Sequence, residues 1–157
     1  MSDPNQPARH PILAALARAV PGLAKALGNG TEVVLHEFSH PESSVVAIAG
    51  EVTGRKVGAP LTDLVLRLLR QGRVTEDLIN YPSRTPDGRP LRSSTVFVRD
   101  ESGQVVGCLC INFELTRWMV AGSAISTLLR PKAALSLSSL SSRSPRTSAA
   151  TTTCPAL

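Results

Sequence analysis

No acidic residue occurs after Glu114, and that gap accounts for the charge of this chain. The formal net charge is +5, but the 12 acids between Asp3 and Glu114 are matched by 12 Lys and Arg in the same stretch. The excess sits on Arg117, Arg130, Lys132, Arg143 and Arg146. A basic end is not a basic domain, so the electrostatic footprint of a nucleic-acid binder is missing from residues 1–114. Cysteine is scarce too: Cys108, Cys110 and Cys154 are too few and too unevenly spaced for a disulfide framework. No apolar run approaches the roughly 20 residues of a membrane span. The opening MSDPNQPARHP lacks the basic and then apolar pattern of a secretory signal. These absences lead to the expectation of a soluble, cytoplasmic protein of one domain with appendages.

What is present divides into three parts. Residues 1–10 are polar and read as a disordered lead, 11–129 as the folded domain, and 130–157 as a disordered tail rich in Ser, Thr and Arg. From Pro11, the residues Leu13, Leu16, Ala17 and Val20 share one helical stripe, which Leu23 and Leu27 extend beyond Pro21. Pro21 is expected to kink or split this helix, and Gly28-Asn29-Gly30 to end it. A second helix is expected after Thr62, with Leu61, Leu64, Val65, Leu68 and Leu69 on one face.

Strands are expected at Glu32–Phe38, Ser44–Ala49 and Leu78–Tyr81, with Pro82–Pro90 as a turn-rich connection. Ser93–Arg99, a turn at Asp100–Gly103, and Gln104–Phe113 read as a long hairpin. In its second arm, strict alternation sends Val105, Leu109, Ile111 and Phe113 one way and Val106, Cys108, Cys110 and Asn112 the other. Neither face is written for water, so this strand is expected to be central and covered on both sides. A second copy of the chain is the natural cover for whatever the first helix leaves bare. Residues 114–129 are expected to form one more helix.

Chemistry-bearing patterns are few. Cys-x-Cys on a strand puts both sulfurs on one face, which two small core residues also do, and no zinc-site spacing accompanies it. No G-x-S-x-G elbow or suggestive pair of carboxylates is present, so no catalytic residue, metal or cofactor is expected. Gly54-Arg-Lys-Val-Gly58 does not fit a phosphate loop, because its Lys precedes the second Gly. It leaves two readings of Arg55: a solvated loop charge, or a contact for an anionic ligand near the helix N-terminus at Thr62. His36 lies among apolar strand neighbours and must find hydrogen-bond partners, either in the core or in a ligand. Asn112, an amide on a central strand, is either part of a structural network or a polar anchor in a pocket.

Glu32-Val-Val-Leu-His36, Val52-Thr-Gly-Arg-Lys-Val-Gly58 with Pro60 and Thr62, Asp87-Gly88, Ser93-Ser-Thr95 and Cys110-Ile-Asn112 occur in this order. Together they resemble the YheO-like PAS domain family, the sensory half of bacterial transcription regulators that include a D-arginine-responsive type. The resemblance runs from about Thr31 to Leu115. It implies an α+β, PAS-like five-stranded antiparallel sheet with flanking helices, a small-molecule pocket between sheet and helices, and dimerisation. It also implies a carboxy-terminal helix-turn-helix for operator DNA. No strongly periodic helix pair follows Glu114, so the chain is expected to be a sensor without its DNA-reading domain. Strand facing and resemblance together nominate His36, Arg55, Tyr81, Ser94 and Asn112 as contacts for a small polar metabolite of amino-acid type. The expected partners are that metabolite and a second copy of the chain, with no membrane and no enzymatic step. The alternative is a dimerisation module that binds no ligand.

Overall fold

A computed structural model describes residues 10–72, 74 and 76–130. The expected lead and tail, with Cys154, lie almost wholly outside them. The described residues fall into two units, divided between Ala121 and Gly122, and the whole sheet belongs to the first.

Helix α1 (Pro11–Leu27) precedes strands β1 (Thr31–Glu37) and β2 (Val45–Ala49), which a 3-10 turn at Pro41–Ser43 connects. Helix α2 (Asp63–Arg70) follows, then β3 (Leu78–Arg84), β4 (Pro90–Arg99), β5 (Val105–Glu114) and helix α3 (Thr116–Leu129). The strands form one antiparallel sheet in the order β2-β1-β5-β4-β3. The last strand in sequence is therefore the middle one in space, as its two apolar faces require.

Each face of the sheet centre carries its own core. On one side Leu13, Val20 and Ala24 of α1 pack with Val33, Leu35 and Val98. On the other, Leu61 and Val65 meet Val34, Val45, Phe97, Cys108 and Cys110. Full burial of a residue such as Leu13, Leu35 or Val65 stabilises the fold by about 1.5–3 kcal/mol. Close approach to the backbone of β1 needs two glycines. A Cβ on Gly107 would overlap the His36 carbonyl and touch a Leu13 methyl, and one on Gly50, whose φ is +97°, would overlap the Thr31 carbonyl.

Four expectations are corrected. Pro21 does not split α1, which is one helix of 17 residues. Val20 and Ala24, buried on either side of the proline, hold the two halves to the same sheet and offset the hydrogen bond that Pro21 removes. The buried stripe accordingly passes through Ala24, leaving Leu23 and Leu27 exposed. Third, β3 continues past Tyr81 to Arg84, because Pro82 sits on an edge strand where a missing N–H is tolerated.

The fourth correction concerns β5. A register shift where Val98 pairs Gly107 but Arg99 pairs Val105 inserts one residue into the ladder. Alternation is therefore broken at its start: Val105 packs with the α2-side core and Val106 with the α1-side core, the reverse of strict period two. From Gly107 onward the expected facing holds, with Cys108 and Cys110 on the α2 side and Leu109 and Ile111 on the α1 side.

Candidate functional site

The α2-facing side of the sheet grades from apolar to polar along the strands. At one end His36, Cys108 and Phe97 are register partners, in the middle Val34, Cys110 and Thr95, and at the other end Glu32, Asn112 and Ser93. Away from the bulges the strands alternate, so on each of these stretches only side chains of one parity reach this surface.

The polar end is a closed hydrogen-bond network. Glu32, with no exposed surface, accepts at Oε2 from the backbone N–H groups of Val52 (3.0 Å) and Thr53 (2.9 Å). Its Oε1 accepts from the Thr53 hydroxyl at 2.7 Å and from Nδ2 of Asn112 at 3.2 Å. Oδ1 of Asn112 accepts from the Ser93 hydroxyl at 2.8 Å, and Ser93 in turn is 2.6 Å from the hydroxyl of Ser83. A buried carboxylate is tolerated only where its oxygens are satisfied, and here four donors converge on two oxygens. Glu32 thus ties the loop after β2 to the sheet and fixes one wall of a pocket.

The middle of the surface is semi-polar. The Tyr81 hydroxyl is 2.9 Å from that of Thr95, which lies 3.5 Å from the Cys110 sulfur. Tyr81 reaches inward because of a bulge: the register shifts between Leu78 and Tyr81, where Asn80 takes φ +56°. Asn tolerates that left-handed conformation far better than a branched residue. Burial, partly countered by the bond to Thr95, pushes the Tyr81 phenol above its ordinary value, so it stays neutral and able to donate. His36 Nδ1 is 2.8 Å from the Ser44 hydroxyl, both residues being buried, and its ring stands beside the Cys110 thiol. Cys108 and Cys110 are free thiols with sulfurs 3.9 Å apart. The hydrogen bond to Cys110, then burial, pushes the Cys108 thiol well above its usual range. Among the described residues, no three His, Cys, Asp or Glu side chains are grouped to hold a metal ion.

A pocket of about 340 Å³ lies over this surface, bounded by the loop carrying Thr53 and Arg55, by the start of α2 at Thr62 and Leu64, and by the β3–β4 turn. Its sheet floor includes Cys110, Asn112 and Ser93. Of the five residues nominated from sequence, His36, Arg55, Tyr81 and Asn112 line it. Ser94 does not. Strand parity turns Ser94 to the opposite face, where its hydroxyl accepts from the Asn80 N–H at 3.0 Å, and Ser93 takes its place on the floor. Thr62 occupies the N-cap position of α2 without a side-chain capping bond. Arg55 is held over the pocket by its bond to the Pro60 carbonyl at 2.6 Å. Glu32 escaped sequence reading; the available signal was its parity with Val34 and His36 on β1.

Residues 7–130 match the family described as the YheO-like PAS domain. The chain is 38% identical over 107 residues to the YheO protein of Escherichia coli K12, covering 66% of this chain and 45% of that one. It is 30% identical over 126 residues to the transcriptional regulator DauR of Pseudomonas aeruginosa, covering 80% of this chain and 58% of DauR. The chain thus spans about half the length of the curated relatives it matches. Solved structures similar to it include the blue-light photoreceptor Aureochrome1 LOV domain in the dark, at 14% identity and a TM-score of 0.42, covering 77% of this chain and 97% of that one. An RsLOV structure matches at 18% identity and a TM-score of 0.44, covering 74% and 79%.

Proposed function

The chain belongs to the YheO-like PAS domain family, and from that premise we propose that it is the sensing domain of a transcriptional regulator, binding a small polar metabolite between sheet and α2. The observation that carries this reading is the pocket of about 340 Å³ with a polar floor and a cationic rim. That volume is at the lower end for small-molecule sites and suits a metabolite of amino-acid size. Arg55 and Arg84 are the charged side chains in the lining, which favours a ligand with a carboxylate at that end. His36, Tyr81 and Asn112, with Ser93 in place of Ser94, supply the other polar contacts, and the ligand is held without a chemical step.

Dimerisation belongs to the same proposal. Ile12, Leu23 and Leu27 on α1, and Trp118, Met119 and Val120 on α3, are large apolar residues left exposed. A second copy of the chain is the partner proposed for them, and the cytoplasm the proposed compartment. Among the described residues no helix is long and apolar enough to cross a membrane. Contact with operator DNA is assigned to a part of the regulator outside the described residues.

A second reading rests on the closed Glu32–Asn112–Ser93 network, whose polar groups satisfy one another without a guest. In that reading the domain serves assembly alone. Native mass spectrometry of the protein as purified separates the two: a retained small molecule supports sensing, and its absence, with no thermal stabilisation across an amino-acid and metabolite panel, supports the assembly role. Asn112→Leu is expected to abolish ligand-dependent stabilisation.

A further inference from the structure

Two free thiols stand side by side on β5, and they differ in what they can meet. Cys110 is 7% exposed and lines the cavity of about 340 Å³, whereas Cys108 has no exposed surface and lies outside that lining. The Cys108 sulfur is 3.9 Å from that of Cys110, and the His36 ring stands beside Cys110 on the other strand. The hydrogen bond from Cys108, joined by His36 against the effect of burial, draws the Cys110 thiol well below its ordinary range, while Cys108 is pushed well above it. Of the two sulfurs, the more nucleophilic is therefore the one that faces the pocket.

A chain of hydroxyls leads away from it. Cys110 is 3.5 Å from the Thr95 hydroxyl, which is 2.9 Å from the Tyr81 hydroxyl, and Tyr81 lines the same cavity. A thiol, a relay and a neutral phenol at its end suit an electrophile whose leaving atom is an oxygen, because that oxygen needs a proton as its bond breaks. We propose that Cys110 is a modification site, oxidised to sulfenic acid by hydrogen peroxide or a small alkyl hydroperoxide that enters the pocket. Sulfur attacks one peroxide oxygen; the S–O bond forms as the O–O bond breaks, and the electron pair of that bond leaves on the second oxygen. The thiol proton is passed along Thr95 to Tyr81, whose own proton goes to the leaving oxygen, which departs as water or an alcohol. Sulfur gives up two electrons and the peroxide takes them, so no further reactant is needed. Oxidation stops there. Cys108 and Cys110 are two places apart on one strand, which sets their Cβ atoms about 6.6 Å apart, against the roughly 3.5–4.5 Å of a disulfide. Two molecules of a small thiol restore Cys110: the first condenses with the sulfenic acid and releases water, and the second removes the first as a disulfide.

The whole chain carrying Cys154→Ser, in which Cys108 and Cys110 are the remaining cysteines, is treated with hydrogen peroxide and dimedone and read by fragment mass spectra. A dimedone adduct on Cys110 and none on Cys108 is expected. In the double variant Cys108→Ser, Cys154→Ser, whose new hydroxyl at 108 still donates, loss of the Cys110 thiol is titrated after unfolding. It should run at least about tenfold faster than for N-acetylcysteine at the same pH. Tyr81→Phe should slow this loss about tenfold or more, yet leave alkylation of Cys110 by iodoacetamide unchanged, because iodide leaves without a proton. A thiol lost no faster than N-acetylcysteine, or oxidation confined to Cys108, overturns the proposal. So does a Cys108–Cys110 disulfide as the product, since the strand geometry forbids it. An equal effect of Tyr81→Phe on both reagents, or none on either, overturns the relay and with it the assignment of a peroxide.

Discussion

Asn112 on β5 donates to Oε1 of Glu32 on β1 across 3.2 Å, and the two residues, 80 positions apart in the chain, face each other directly in the sheet register. This contact joins the central strand to the one that anchors the loop over the pocket. Through Oε2, Glu32 holds the Val52 and Thr53 amides, so strand pairing and loop position are set by one carboxylate.

Replacement of Glu32 by Gln removes an acceptor and points an amide at donors that have no alternative partner. A loss of roughly 2–3 kcal/mol is expected, the cost of leaving buried donors unsatisfied. Urea unfolding with an unchanged slope would register it as a lower midpoint. A loss under about 0.5 kcal/mol would show that the loop is held by other contacts.

Asn112→Asp places a second carboxylate against Glu32. Like charge raises the proton affinity of the new acid in the folded state above its unfolded value. The penalty is therefore full at neutral pH, shrinks as pH falls through the raised folded value, and is gone below the unfolded one. Measured as the difference in melting midpoint between parent and variant, the gap should close from pH 7 toward pH 4. A gap independent of pH would mean that the charge is not felt at Glu32.

Helix α2 and the long hairpin were legible because each repeats a simple pattern over many residues: Leu64, Val65 and Leu68 for the helix, Leu109 and Ile111 against Cys108 and Cys110 for the strand. The bulges were not. The insertion beside Val98 reverses Val105 and Val106, and the one at Asn80 redirects Tyr81; both depend on which residue pairs across the strand. The same dependence exchanged Ser94 for Ser93. The importance of Glu32 was hidden for a related reason, since its four donors come from Val52, Thr53 and Asn112, all distant in sequence. Local pattern places elements; contacts between them need register.

The hairpin turn has its own pH dependence. Oδ1 of Asp100 accepts from the Ser102 hydroxyl (2.6 Å), the Ser102 N–H (2.9 Å) and the Gln104 N–H (2.9 Å). The Ser102 bond first, with the backbone bonds, holds this carboxyl below the ordinary aspartate value. A depressed folded value means that the stabilisation is present above the unfolded value and lost as pH falls through the folded one. Asp100→Asn should flatten the acid limb of a plot of melting midpoint against pH. An acid limb as steep as the parent's would place the titrating group elsewhere.

Ser93 and Ser94 offer a paired test of the pocket, since neighbours in sequence occupy opposite faces. Ser93 is buried and its hydroxyl links Asn112 to Ser83, whereas the Ser94 hydroxyl accepts one backbone N–H on the outer face. Ser93→Ala leaves Oδ1 of Asn112 without its donor and is expected to cost about 1–2 kcal/mol. It should also reduce stabilisation by whichever metabolite the native spectra identify. Ser94→Ala loses a partly exposed bond, expected to cost about 0.5 kcal/mol, and leaves the metabolite response intact. If Ser94→Ala instead abolished the response while Ser93→Ala preserved it, the ligand would have to sit on the α1 face of the sheet, and the pocket beneath α2 would be excluded as the sensing site.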